Sequence, residues 1–451
     1  MGGGAESKVR RLIALLLLGG CARYAPLPLA GDPGVLSGPV AAVLATESAR
    51  IDRPYLRPEA VDLRAPLTPN ALAVLAVLES PDLKAQRMKA GVSDAQAFAA
   101  RLLPDPTLTL GYDYRYSGPD PYNGLLAQLG YDLNQFRERR VVQAGARAAR
   151  AQVRLDFAWA EWQAAGAARL QGARILALAR ELELDRASAR VTARLLDVSL
   201  RAAGRGDIAG DQVEARRTAA LDAADRLRIS ERDLGAARFE LNRIVGLPPE
   251  VVLRLAPIGP TPAPPGAAIL FALARGSRFD LKALQAGYQV QEAAVHRAVL
   301  DQFPTLTLSV NAARDTANNR TIGPSIAFTP PLWNRNRGGI EVARATRAQL
   351  GAEYTARLAQ TRAEIAAAVG TVVVSRRQSA ELAVALPALA RFATANRRAA
   401  ARGELAEATA EVAEQTLRDR QRALFGLDQS AAEGTIALEL LTGTPRESWP
   451  R

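Results

Sequence analysis

Asp82-Leu83-Lys84-Ala85, followed by Pro106-Thr107-Leu108-Thr109-Leu110, returns as Asp280-Leu281-Lys282-Ala283, followed by Pro304-Thr305-Leu306-Thr307-Leu308. Further along, Arg205-Gly206-Asp207-Ile208-Ala209 returns as Arg402-Gly403-Glu404-Leu405-Ala406, and Gly246-Leu247-Pro248 as Gly443-Thr444-Pro445. Register held over such distances marks an internal duplication, one structural unit written twice. The units run over residues 69–248 and 267–445, joined by a Pro-rich crossing at 249–266. An irregular leader at 21–68 precedes them and a short tail at 446–451 follows.

Each unit repeats one order of elements. Thr68-Pro69 reads as a cap followed by proline in the first helical turn, opening a helix to about Leu103. A strand-loop-strand follows at 106–133, then a proline-free helical stretch from Arg137 to Ala203. Past the Arg205-Gly206 turn a further helix runs from Asp207 to Ile244, and the second unit places its counterparts at 340–401 and 404–441. Isolated glycines such as Gly145, Gly166 and Gly172 weaken a helix without ending it. A helix of about 65 residues is about 100 Å long, and two shorter ones placed end to end match it. Those lengths predict a long antiparallel helical barrel. Val213, Ala220, Leu227, Leu234 and Leu241 recur every seventh position, as do Ala410, Leu417, Leu424, Ala431 and Leu438. Apolar seven-residue spacing marks coiled-coil-like seams between nearly parallel axes.

The strands alternate. Leu108, Leu110, Tyr112 and Tyr114 oppose Thr107, Thr109, Gly111 and Asp113, and the return strand sets Ala127, Leu129, Tyr131 and Leu133 against Gln128, Gly130 and Asp132. The second unit sets Leu306, Leu308 and Val310 against Thr305, Thr307, Ser309 and Asn311. Period-two alternation puts one face on an apolar medium and one on water, and strands of about ten residues cross a bilayer when tilted. Four strands cannot close a barrel, and lipid forbids open edges. Three chains would supply twelve, so a homotrimer is the natural closure.

Lys8, Arg10 and Arg11 precede an apolar stretch from Leu12 to Leu18, then Gly19-Gly20-Cys21, so residues 1–20 read as a signal peptide. Leu18-Gly19-Gly20-Cys21 is similar to a lipobox, which implies lipidation at Cys21, and Ala22 after it fits onward sorting to the outer membrane. Cys21 is the only cysteine, so an intrachain disulfide is excluded. No apolar run reaches about 18 residues, so an inner-membrane helix is not expected. The net charge of +12 is spread along the chain without a compact basic arm, so nucleic acid is not an expected partner. His296 is the only histidine, and no nucleophile motif, phosphate loop, dinucleotide fingerprint or zinc spacing stands near it, so no enzyme chemistry and no cofactor are expected.

Phe328-Thr329-Pro330-Pro331-Leu332-Trp333-Asn334-Arg335-Asn336-Arg337-Gly338, between the second hairpin and a long helix, resembles the TolC-like outer-membrane efflux proteins. Leu133-Asn134-Gln135-Phe136-Arg137 is a weaker counterpart. With the duplication and the lipobox, the resemblance covers nearly all of the mature chain and extends to the family's lipoprotein branch, which serves drug and heavy-metal pumps. It implies a mainly α protein with membrane β: a trimeric twelve-stranded β-barrel continuous with a periplasmic α-helical barrel. It further implies a passive duct supplied by an inner-membrane transporter, with a periplasmic adaptor docked at the hairpin tips. The candidate tip residues are Arg205, Gly206 and Asp207, with Arg402, Gly403 and Glu404. Family channels narrow near the tips, where Ala400, Leu405, Thr409 and Val412 stand in place of the family's link and aperture residues. Asp211 and Glu214, with Glu404, Glu407 and Glu411, are the nearby candidates for an acidic aperture, against which stands a role as solvated helix-surface charge. The alternative of another class is a periplasmic coiled-coil adaptor or scaffold lipoprotein, with its strands in a soluble sheet.

Overall fold

The computed structural model describes residues 24–29, 31, 37–259 and 262–450. The segment 1–20 read as a signal peptide, and Cys21, lie outside the described residues. Met1–Ser37 form one unit, of which residues 24–29 carry no regular secondary structure, and Gly38–Arg451 form the other.

The larger unit opens with α1 (Ala41–Ala49), then runs through α2 (Pro69–Glu79), α3 (Pro81–Ala99), β1 (Thr107–Asp113), β2 (Gly124–Asp132), α4 (Asn134–Gly204) and α5 (Gly210–Val245). The same order recurs as α6 (Ala267–Ser277), α7 (Phe279–Leu300), β3 (Leu306–Arg314), β4 (Arg320–Phe328), α8 (Arg337–Ala401) and α9 (Glu407–Thr442). At 71 and 65 residues, α4 and α8 are each on the order of 100 Å long. Pro387 sits inside α8, where it removes one backbone donor without ending the helix.

The expected single helix over 69–103 is two helices. Ser80 takes an extended conformation (φ −51°, ψ 122°) ahead of Pro81, because a proline ring disfavours helical geometry in the residue before it. Thr68 does cap α2, its side chain accepting from the Ala71 N–H. The second half breaks at the matching point, Arg278 (φ −62°, ψ 125°), with no proline. There the Arg278 guanidinium bonds Asp280 at 2.9 and 2.6 Å and the Leu441 carbonyl at 3.2 Å, which holds the bend with side-chain bonds. A left-handed glycine at the end of the last helix packs on each break. A Cβ on Gly246 (φ +67°) would stand 2.4 Å from the Glu79 carbonyl oxygen, and one on Gly443 (φ +71°) 3.0 Å from the Arg278 Cα.

The principal core gathers α2, the middle of α4 and the end of α5 beneath the leader. Ala71–Val77 are buried on every side, with Trp162, Ala165, Ala168, Leu234 and Leu241 around them. Tyr55 of the leader meets Trp162 edge to face at 5.2 Å. The leader also pairs with the crossing, Leu67 N–H donating to the Arg254 carbonyl and Ala256 N–H to that of Leu67, both at 2.8 Å. A smaller core joins α6, α8 and α9 through Leu270, Ala274, Ile365, Val372 and Leu438.

Candidate functional site

The four strands form one antiparallel sheet in the order β1-β2-β3-β4. Its register is in phase. Leu108 pairs with Leu129, Leu129 with Val310, and Val310 with Pro324, while Tyr131 pairs with Leu308 and Leu308 with Ile326. The two halves therefore put their apolar residues on a single face, since partners opposite one another in a ladder point the same way. That face is uncovered in the protomer: Leu110 is 72% exposed and Ile322 79%. The opposite face is polar and bonded to itself. Gln128 Nε2 donates to Ser309 Oγ (3.0 Å), Ser309 and Ser325 hydroxyls bond at 2.7 Å, and Asn311 Nδ2 donates to Ser325 Oγ (2.8 Å). β1 and β4 are the two edges. Tyr114 and Leu133, expected in the strands, lie past their ends, Leu133 at the N-cap of α4.

Buried ion pairs lock the middle of the molecule. Glu161 on α4 accepts from Arg53 (2.6 Å) and from the Tyr55 hydroxyl (2.7 Å), tying the leader to the first half. Burial and the adjoining Glu161 anion push the Tyr55 phenol well above its ordinary range. Arg169 on α4 donates to Glu439 on α9 at 2.9 Å, joining the two halves. Burial raises the Glu439 pKa in spite of Arg169 and of the Arg446 N–H that it also accepts. Burial acts on Asp280 in the same sense, but bonds from Arg278 and Arg357 outweigh it and hold that carboxyl below its usual range. Sequence reading offered no signal for these pairs, whose members lie as much as 270 positions apart.

At the far end the helices turn twice in the same way. Gly206 (φ +79°) and Gly403 (φ +75°) supply left-handed residues. Asp207 N–H closes on the Ala202 carbonyl and Glu404 N–H on that of Ala399, both at 3.0 Å. Arg205 Nε bonds Asp207 at 2.8 Å, and Arg402 grips Glu404 with two bonds of 2.7 Å. The bond from Arg402 lowers the Glu404 pKa. Both tips are thus small, exposed, self-neutralised turns.

The helices after the turns begin later than expected, at Gly210 and Glu407, because Asp207 and Glu404 are committed to the turns. Of the candidate aperture residues, Glu404 is therefore a turn residue and does not share a helical face with Glu407 and Glu411. Glu407 stands in the first turn of α9 and Asp211 in that of α5, both exposed. Glu214 is exposed and pairs with Arg217 at 3.4 Å. Glu411 is largely buried and bridges to Arg216 of α5, a link between the two halves. Val213, Leu234 and Leu241 of the first seam are buried, whereas Leu227 is only partly so.

Among the described residues no group of three or more histidine, cysteine, aspartate and glutamate side chains is placed to hold a metal ion. Nor, among them, is any helix long and apolar enough to cross a membrane.

No protein-family model matches the chain, and no curated protein matches it. Solved structures do. The outer-membrane channel OprN superposes with a TM-score of 0.71 at 15% identity, covering 95% of this chain and 99% of its own. The Campylobacter jejuni CmeC outer membrane channel gives 0.70 at 14% identity over 83% of this chain and 85% of its own. The outer membrane protein VceC of Vibrio cholerae gives 0.67 at 19% identity over 83% and 96%. The chain has the protomer fold of these outer-membrane channels.

Proposed function

We propose that the chain is one subunit of an outer-membrane efflux channel, a passive conduit of the TolC-like kind. Three copies join β1 of one sheet to β4 of the next, closing twelve strands into a barrel whose apolar face meets lipid. The long helices continue it as a tube into the periplasm. A periplasmic adaptor docks at the tips around Arg205-Gly206-Asp207 and Arg402-Gly403-Glu404 and connects the tube to an inner-membrane transporter, which supplies the energy. Leu18-Gly19-Gly20-Cys21 and the Pro331-Leu332-Trp333-Asn334-Arg335 segment favour the lipoprotein branch, including its heavy-metal type, with Cys21 as the anchor. The observation that carries this reading is the in-phase sheet, apolar and uncovered on one side and polar on the other, set on helices on the order of 100 Å long.

Near the tips, three-fold repetition of Asp211, Glu214 and Glu407 forms an acidic ring that favours cations. Glu404 contributes less, its charge being held by Arg402, and Glu411 serves the bridge to Arg216. Planar-bilayer recording tests both levels. The wild type should give stepwise conductance with cation preference, and Glu407→Lys should shift the reversal potential toward anions in assembled trimers. Unchanged selectivity removes the acidic ring and leaves the conduit. A chain that stays monomeric without detergent and forms no pore removes the conduit itself.

A further inference from the structure

Directly beneath the sheet, the four junctions between strands and helices are tied together at one level. Arg139 at the start of α4 donates to the Arg101 carbonyl just past α3 (3.2 Å). Glu138 of α4 pairs with Arg297 of α7 at 3.1 Å. The Asn336 amide, ahead of α8, donates to the Ala298 carbonyl of α7 at 2.8 Å. The result is a collar where the apolar face ends.

The collar has an unusual surface for a water-exposed junction. Trp333 is 87% exposed and Leu332 65%, and Phe136, Phe303, Leu102 and Leu103 are each more than half exposed or close to it. Arg335 and Asn336, both with φ +49°, turn the chain sharply between Trp333 and α8. That conformation is disfavoured for a side chain such as arginine. Among the described residues, Arg101, Arg140, Arg335 and Arg337 have no carboxylate within ion-pair distance. The nearby acids are otherwise engaged or few: Glu138 is held by Arg297, Asp132 accepts from the Asn134 backbone and amide, and Asp105 and Asp301 are exposed.

Aromatic side chains at the boundary of an apolar β face sit at headgroup depth, and unpaired arginines there meet phosphate. Guanidinium also binds phosphate oxygens in pairs, and an anionic headgroup, unlike a zwitterionic one, carries no cation of its own to compete for that phosphate. We infer that this collar is a binding surface for anionic phospholipid headgroups, with Arg335, Arg337 and Arg101 on the phosphates and Trp333 and Leu332 among the upper acyl carbons. This rests on the outer-membrane reading, since it requires the sheet to stand in a bilayer. The occupant is a lipid because these exposed basic and aromatic residues flank the ends of the strands that carry the uncovered apolar face.

The full chain reconstituted in nanodiscs of mixed phosphatidylcholine and phosphatidylglycerol tests this, with retained lipid identified by native mass spectrometry. The wild type should retain phosphatidylglycerol in excess of its share of the mixture. Arg335→Gln and Arg337→Gln should each reduce that excess roughly fivefold, with assembly and conductance unchanged. Trp333→Ala should weaken retention of both lipids alike. Equal retention of the two lipids by the wild type overturns the inference while leaving the channel reading intact. So does stabilisation by inorganic phosphate in detergent equal to that by the lipid, which would make this an ion site. Arginine variants that fall apart into single chains with unaltered lipid preference overturn it too, assigning the surface to a contact between copies. Failure to enter the discs overturns both readings.

Discussion

The two long helices, α4 and α8, are counterparts in a duplicated chain, yet they live in different surroundings. α4 packs against α2, α3, α5, α7 and α9, and its middle is buried around Trp162, Ala165 and Ala168. α8 packs chiefly against α6, α7 and α9, and only Thr361, Ile365, Val372, Ser375 and Ala393 are buried along its length. Phe392 is 60% exposed and Val384 82%. The cause is position: α4 lies between the halves, meeting α7 and α9 of the second unit and the leader as well as the helices of its own unit, whereas α8 packs on helices of its own unit. The repeats share their elements, but the leader and the second half together enclose α4. In the proposed trimer, the exposed face of α8 would meet a neighbouring copy.

The contrast can be broken first at its strongest point. Trp162→Ala empties the centre of the principal core and should cost about 3–5 kcal/mol in denaturant unfolding of the detergent-solubilised chain. Phe392→Ala on α8 should stay within about 0.5 kcal/mol for the protomer while loosening the assembly, read as a lower trimer fraction on native gels. Equal costs at the two positions would erase the distinction drawn between the helices.

The link between halves comes next. Arg169→Met leaves the buried Glu439 without its cation, and a loss of roughly 3 kcal/mol is expected from the same unfolding measurement. A neutral result would mean that water enters beside Glu439 and that the pair does not bind α4 to α9.

Smaller effects separate the two breaks. Gly246→Ala meets both left-handed strain and a carbonyl at 2.4 Å, whereas Gly443→Ala meets the milder approach at 3.0 Å. Losses of about 2 and about 1 kcal/mol, respectively, are expected from the lowered denaturant midpoints. The reverse order would show that the proline-made break yields more readily than the one made by Arg278.

The least effect is a matter of sign. Asp280 has a lowered folded pKa, so its stabilisation is present above the ordinary carboxylate pKa and is lost as pH falls through the lowered value. Glu439, with a raised one, penalises the fold when ionised, and acidification through that raised value relieves the penalty. Stability measured against pH should lose its acid-side decline in part in Asp280→Asn, and should fall more steeply with acid in Glu439→Gln, where the relief is absent. Identical slopes in the two variants would contradict the opposite environments.

Much of this was legible in the sequence because it is local or repeated. Alternation at Leu108–Tyr112 and Leu306–Val310 fixes the faces, and the returns at Gly206 and Gly403 fix the tips. The split at Ser80 had a visible cause in Pro81, but a long apolar run masks such a boundary. The split at Arg278 had none, since its reason is a guanidinium bonded to Asp280 and the Leu441 carbonyl. The bonds made by two of the aperture candidates were not legible either. Spacing cannot reveal that Glu411 bridges to Arg216 or that Glu404 is bound by Arg402 two positions away. Charges placed by tertiary contact leave no periodic trace.

The central claim, closure by three copies through β1 and β4, is tested most directly by cross-linking those edges. With Cys21 replaced by serine, cysteines introduced on the shared apolar face, at Leu108 on β1 and at Ile326 on β4, would be joined by a short bifunctional thiol reagent in isolated membranes. A ladder that ends at three times the 48.0 kDa chain, with no larger product, is the predicted result. A chain that remains single, or a ladder that climbs past three, would contradict the account.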